Sequence, residues 1–346
     1  MRRILIFLAL ACQLASRAQE IVAGADFTTI FDNREYVQCD RQESGTLFSA
    51  CLSPWVGVQW ARHNRLVGGV HLVRDFKGDS PFMTHVNPII YYRYADSHWL
   101  THAGIFERSR LLGQPSDAFY DERHSYTDSQ IMGVHAAYRC GGNHAEVVVD
   151  WEGQPTETER EKFRVFSTAL LNKGKFYCGY DGGYLHLANS TNPRPNEGVV
   201  DHLQFMPYVG MRFRAYFNFD LRATPMYSYQ RDRVAGDKYN CLGGMVAVKM
   251  ERWGLSLGHQ LYFGDSQQPM RLKYGELLYS GNPMYGTTHK VYNKTSLRYC
   301  RAFFDDTVNL DVAFHLHHDG HAIGTQQMLT LGVSLDHMWH CHRHKP

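Results

Sequence analysis

The segment from Val308 to His317 alternates without a break. Val308, Leu310, Val312, Phe314 and Leu316 share one parity, and Asn309, Asp311, Ala313, His315 and His317 share the other. A period of two belongs to a β-strand with one apolar and one mostly polar face. The pattern recurs in "FNFDLRATPMYSYQ", where Phe217, Phe219, Leu221, Ala223, Tyr227 and Tyr229 oppose Asn218, Asp220, Arg222, Thr224, Ser228 and Gln230. It recurs again in "MLTLGVSLDHMW", which ends on Trp339. Sixteen strands are expected, near 20–31, 44–60, 65–76, 86–94, 98–107, 129–140, 144–152, 162–171, 175–187, 199–213, 217–231, 241–251, 254–263, 291–302, 308–317 and 326–337.

The connections say which solvent the apolar faces meet. Short ones follow the even-numbered strands, with turn chemistry at "ARHN" (61–64), "ADS" (95–97), "GGN" (141–143) and "NKG" (172–174). Long ones follow the odd-numbered strands, at 32–43, 77–85, 108–128, 153–161, 188–198, 232–240, 264–290 and 318–325. A soluble sandwich or propeller has no reason to alternate connection lengths in this way, and no repeat period is evident. A transmembrane up-and-down antiparallel β-barrel does, with short periplasmic turns and longer extracellular loops. The expected fold is therefore all-β, a barrel of about sixteen strands with its apolar faces toward lipid. On this parity Arg is costly at Val312 or Leu331 and far less costly at lumenal Ala313.

The N-terminus fits export. Arg2 and Arg3 precede an apolar run from Ile4 to Ala11, and Ser16-Arg17-Ala18 offers a cleavage site. Residues 1–18 are read as a signal peptide and 19–346 as a single barrel domain. A lipid-modified Cys12 is the rival reading, with Ala9 where leucine is usual. Cleavage removes three of the 36 basic residues and leaves 33 against 34 acidic ones. A balance near zero gives no field for nucleic acid. Seven scattered cysteines remain without a CxxC pair, which argues against a disulfide framework.

Several phrases point to relatives: "FDNREY" (31–36), "LSPWVGVQW" (52–60), "GGVHL" (68–72), "NPIIYYRY" (87–94), "AGIFERSRLL" (103–112), "DWEGQPTETEREKF" (150–163) and "ELLYSGNPMY" (276–285). Together they resemble a porin-like family of outer-membrane proteins of Bacteroides-type bacteria, over most of the mature chain. The resemblance implies a barrel in the outer membrane and supplies no catalytic residue. A more distant similarity to surface-polysaccharide-binding barrels of capsule assembly is one of fold alone.

Parity assigns Arg93, Glu146, Asp150, His202, Arg212, Asp220, Arg222, Lys294, Arg298, Asp311, His315 and Asp336 to the lumen, as pore-lining candidates. Mixed charges on opposing walls would set a transverse field. Passage of small polar solutes is the expected function. The alternative is a non-conducting barrel whose outside loops bind surface polysaccharide or a partner protein. The partners expected are outer-membrane lipid and such solutes or glycans, and no oligomeric state is legible. The 264–290 loop, with Arg271, Lys273, Tyr274, Tyr279 and Tyr285, is a candidate for folding into the pore.

Catalysis is not expected. The compact His-x-Ser motif is absent, and His124-Ser125 and Ser97-His98 are adjacent pairs that a strand would turn to opposite faces. Glu146 and Asp150 share a face at a separation of roughly 13 Å, too far for paired carboxylates in glycoside hydrolysis. "HHDGH" (His317, His318, Asp319 and His321) and the tail with His337, His340, Cys341, His342 and His344 hold metal-ligand types without a second ligand pair. No metal or cofactor is expected. Thr156-x-x-Glu159 fits a capping box and predicts a helical turn in an outside loop.

Overall fold

The computed structural model describes residues 19–78, 81–195, 197–335 and 339–340, the last two as backbone. The signal-peptide segment, Asp336, His337, Cys341, His342 and His344 lie outside the described residues.

The long strands number sixteen: β1 (Glu20–Val37), β2 (Gly45–Trp60), β3 (Asn64–Asp75), β4 (His85–Ala95), β5 (Trp99–Glu107), β6 (Gln130–Cys140), β7 (Asn143–Gly153), β8 (Lys162–Lys173), β9 (Phe176–Leu187), β10 (Val200–Arg214), β11 (Asn218–Asp232), β12 (Lys238–Arg252), β13 (Leu255–Gly264), β14 (Val291–Phe303), β15 (Val308–His318) and β16 (Ile323–Ser334). Each pairs antiparallel with its neighbours in sequence, and β1 pairs with β16 to close the barrel. Phe27 stands opposite Val333 and Ile30 opposite Thr330 at that seam. Closure leaves no strand edge to face lipid. Beyond β16, Trp339 and His340 pair with Ala23 and Val22 of β1.

All sixteen expected strands are present. Boundaries moved most at the seam. "FDNREY" continues β1 to Val37, and β16 starts at Ile323. The seam partners supply backbone hydrogen bonds that the local pattern does not reveal. In "NKG", Asn172 and Lys173 remain in β8 and the turn begins at Gly174, whose φ of 61° suits glycine. Thr156 does not start a helix. Its Oγ1 accepts the Glu159 N–H at 2.9 Å, and its own N–H goes to the Glu159 carbonyl at 3.0 Å, closing a bend instead.

The faces fall as the alternation predicts. Along β15, Val312, Phe314 and Leu316 are exposed, while Ala313, His315 and His317 are buried. Val56, Ile90, Val134, Leu203, Val246 and Leu297 continue the apolar exterior. Aromatics gather at the short-turn end, where Trp99 packs on Tyr138 and Arg252 lies over Tyr216 and Trp253. A closed barrel with this exterior is built to span a lipid bilayer. No helix among the described residues is long and apolar enough to cross a membrane.

The interior departs from a water-filled tube. The connections 108–129 and 265–290 fold into the barrel and bring an apolar cluster with them. Phe119, Met284 and Tyr285 pack there against Met245, Tyr262 and Tyr292 of the wall. Tyr285 has no exposed surface. The outer half of the lumen is thus a packed core.

Candidate functional site

The site is built around residues 108–129, which cross the lumen as a strap. It starts at the β6–β7 wall. Arg108 Nη2 donates to Asp150 at 2.9 Å and to Asp128 at 3.0 Å, tying the two ends of the strap to one carboxylate on β7. Glu146 then accepts the N–H groups of Leu112 and Gly113 at 2.9 and 2.6 Å, together with His135 Nε2 and Thr168 Oγ1. Gly113 suits this close approach, because a Cβ there would strike Thr168 and Glu146. Asp181 of β9 takes the Ser116 N–H at 3.0 Å.

The strap next reaches the opposite wall. Lys294 Nζ of β14 lies 3.0 Å from Asp117 and 3.2 Å from Glu122. Arg34 of β1 binds Asp121 at 2.7 Å. Tyr126 meets Thr330 of β16 at 3.2 Å. Lys294 is only 4% exposed, so its charge is answered almost wholly by the strap. Burial alone raises the pKa of Glu122, but Lys294, His315 and Arg298 outweigh burial and hold its carboxyl well below the usual carboxylate range. Burial lowers the pKa of His124, which stacks on Tyr120.

The 265–290 loop lies on the strap. Asn282 N–H donates to the Asp117 carbonyl, and Asp121 N–H donates to the Ser280 carbonyl, each at 2.8 Å. Tyr285 donates its hydroxyl to Asp117 at 2.9 Å.

Cavities flank the strap. On the periplasmic side a chamber of about 520 Å³ is walled by Tyr177, Tyr208, Arg212, Arg222, Lys249 and Arg298, with Gly113, Ser116 and Glu122 as its ceiling. Five Lys and Arg face three Asp and Glu around it. A pocket of about 100 Å³ beside Glu122 and Tyr126 takes in Arg298 and Asp311. On the outer side a cleft of about 280 Å³ is lined by Arg34, Asp121, Arg123, His124, Arg271 and Glu276. Residues 121 to 124 therefore separate the cleft from the chamber.

The twelve candidates divide on this map. Arg212, Asp220, Arg222, Lys294, Arg298 and His315 line the chamber, and Asp311 lines the small pocket. Glu146 and Asp150 are buried anchors of the strap. His202 is buried against Tyr279, beneath the 265–290 loop. Arg93 lies half-buried on β4, in register with Arg65 and His102. Asp336 lies outside the described residues.

Charges are not segregated onto opposing walls. Arg212 pairs with Asp220 at 2.9 Å, Arg222 with Asp181 at 3.3 Å, and Arg298 Nε with Asp311 at 2.7 Å. Each pair joins nearby strands on one wall, because short-range pairing satisfies a charge better than one across water. Lys249, Tyr177 and Tyr208 escaped the sequence reading, although Lys249 has lumenal parity on β12.

Strand register also creates pairs that sequence spacing hides. Ser53 Oγ lies 2.8 Å from His71 Nδ1, and Ser296 Oγ 2.8 Å from His315 Nδ1. The first pair is buried, whereas the second lines the chamber. Ser97 and His98 do meet, at 2.8 Å, because they sit in an exposed turn and not on a strand. Of the "HHDGH" residues, His317 binds Tyr292 inside the barrel, His318 points outward, and Asp319 pairs with Arg41. Among the described residues no three His, Cys, Asp or Glu side chains are grouped to hold a metal, and the six described cysteines are unbridged.

OpdL of Pseudomonas aeruginosa superposes with a TM-score of 0.53 at 11% identity, covering 91% of this chain and 98% of that one. An anion-selective porin from Comamonas acidovorans gives 0.52 at 10% identity, covering 92% and 100%. OmpF of Salmonella typhi, in complex with daunomycin, gives 0.52 at 10%, covering 90% and 97%.

The fold is that of an outer-membrane porin.

At these identities the likeness is one of fold. A family model described as lipid A 3'-O-deacylase-type matches residues 15–175, a little under half the chain and ending after β8 of the porin fold. A search of curated proteins found no match.

Proposed function

We infer that this barrel passes small polar solutes in a porin-like manner and that the conformation described here is its shut state. One observation carries the reading. Residues 121 to 124 of the strap, with the 265–290 loop resting on them, lie between a polar outer cleft and a polar inner chamber, in a sixteen-strand barrel of a width that conducts when its lumen is clear. The phrase-level resemblance to porin-like proteins of Bacteroides-type bacteria supports it. Planar-bilayer recording tests it. Wild type should show little current, and replacing residues 114–125 by a short Gly-Ser linker should produce a large, stable conductance. Silence from both proteins would favour the non-conducting, glycan- or partner-binding barrel instead.

The family match favours a second reading, hydrolysis of an acyl ester. Ser296 and His315 line the chamber, and His315 Nε2 faces Glu122 at 3.4 Å without hydrogen-bond geometry. Ser296 and His315 lie outside the matched segment, and the Ser53–His71 pair inside it is buried. Ester hydrolysis by wild type that disappears in Ser296→Ala would establish this reading.

A further inference from the structure

Three carboxylates of one short stretch, Asp117, Asp121 and Glu122, meet cations that belong to the wall. Lys294 takes two of them and Arg34 takes the third. These cations are not isolated. Arg123 of the strap itself and Arg271 of the 265–290 loop stand with Arg34 at the outer cleft, and Arg298, Arg222, Arg212 and Lys249 of the wall line the chamber with Lys294. Lys and Arg therefore outnumber Asp and Glu on both sides of the strap, three to two in the cleft and five to three in the chamber, although Arg212, Arg222 and Arg298 are paired on the wall.

A second feature shows that the seat is incompletely filled. Arg34 is 1% exposed, and its Nε and Nη1 are engaged by Asp32 and Asp121. Its Nη2 is buried beside the cleft without a hydrogen-bond partner. An arginine nitrogen left so in a buried site is costly, and an additional anionic oxygen would satisfy it.

We propose that the strap carboxylates stand in for the transported ligand, an oligoanionic solute bearing two or more carboxylates, and that such a solute opens the path by competing for Lys294 and Arg34. This rests on the passage reading above. The competition is between like chemistries, an intramolecular carboxylate against a dissolved one. The solute binds the open conformation only, so its apparent affinity is reduced by the fraction of molecules that are open. Weakening the strap should therefore tighten binding as well as raise current.

The test uses the full-length protein in lipid bilayers and in detergent, with heat-modifiable migration as the check on folding. The variant is Asp117→Asn/Asp121→Asn/Glu122→Gln. It should conduct, prefer anions by reversal potential, and bind tri-galacturonate about ten-fold more tightly than wild type. Maltotriose, the neutral probe, should bind neither protein. Lys294→Gln is the second variant, for use if the first fails to fold. It should also open the path, with a weaker anion preference. A variant that conducts without anion preference and ignores tri-galacturonate would overturn the stand-in idea while leaving passage intact. So would a variant that stays shut while the 114–125 replacement conducts. If the replacement itself is silent, the passage reading fails first and this inference falls with it.

Discussion

Val312 and Ala313 are adjacent on β15 and meet opposite surroundings. Val312 is 41% exposed on the lipid face, and Ala313 is 5% exposed among Ile30 and Met328 inside the barrel. Val312→Arg should cost about 2–4 kcal/mol if the site lies near the bilayer midplane. The alternation alone makes Ala313 look like a harmless control. It is a tighter site than that, since Ala313 borders a pocket of only about 100 Å³ shared with Arg298 and Asp311. Ala247, on the chamber wall, is the better control. Denaturant titration in lipid vesicles should show Ala247→Arg, which faces Arg222 across the ladder, losing less stability than Val312→Arg, and equal losses would refute the face assignment. Alternation tells which face a residue takes, and says nothing of what fills the space in front of it. Glu146 and Asp150 make the same point, for their lumenal parity was legible while their use as strap anchors was not.

The strands and the connections differ in how they are encoded. A strand's period is written in its own ten or so residues, which is why each of the sixteen was readable. The resting place of residues 108–129 depends on partners from β1, β7, β9, β14 and β16, scattered over most of the chain. One signal was available. Tyr262 and Tyr292 carry bulky rings on lumenal parity, and rings in a lumen need a lid to pack against. That lid has a weak point at Gly281, where a Cβ would run into the Ala118 carbonyl. Gly281→Ala should part the 265–290 loop from the strap, raising resting conductance and protease cleavage within 265–290 while leaving the barrel folded. The strap's hold should also depend on pH in a defined direction. Glu122 faces Lys294 and Arg298 of β14 and His315 of β15. Its carboxyl is held below its ordinary value of ~4.3, so its contribution is complete above that value and is lost as pH falls through the depressed one. Conductance should stay low from neutral pH to about pH 5 and rise only in stronger acid. A rise centred between pH 6 and 7 would mean that another group controls the strap.

The whole barrel has two ends that the strap keeps apart, and this has a chemical consequence. Lys249 is exposed within the chamber, near the short turn that joins β12 to β13. Short turns of such barrels face the periplasm. A cysteine placed at 249 is therefore open to a thiol reagent from the periplasm and closed to one from outside. The experiment needs the native cysteines replaced by serine, since Cys140, Cys178 and Cys300 are exposed. A charged, membrane-impermeant maleimide added to intact cells should leave Lys249→Cys unlabelled, and the same reagent should label it once the outer membrane is broken. Replacing residues 114–125 by the linker should then allow labelling in intact cells as well, because the cleft and the chamber become continuous. Labelling of the unaltered strap protein from outside would show a path that bypasses residues 121 to 124. Failure to label after strap replacement would, like silence in the bilayer, count against passage, the plug around Met284 and Tyr285 of the 265–290 loop still closing the barrel. The sheet should survive either change, since closure is made by backbone pairing of β1 with β16 and not by the loops inside.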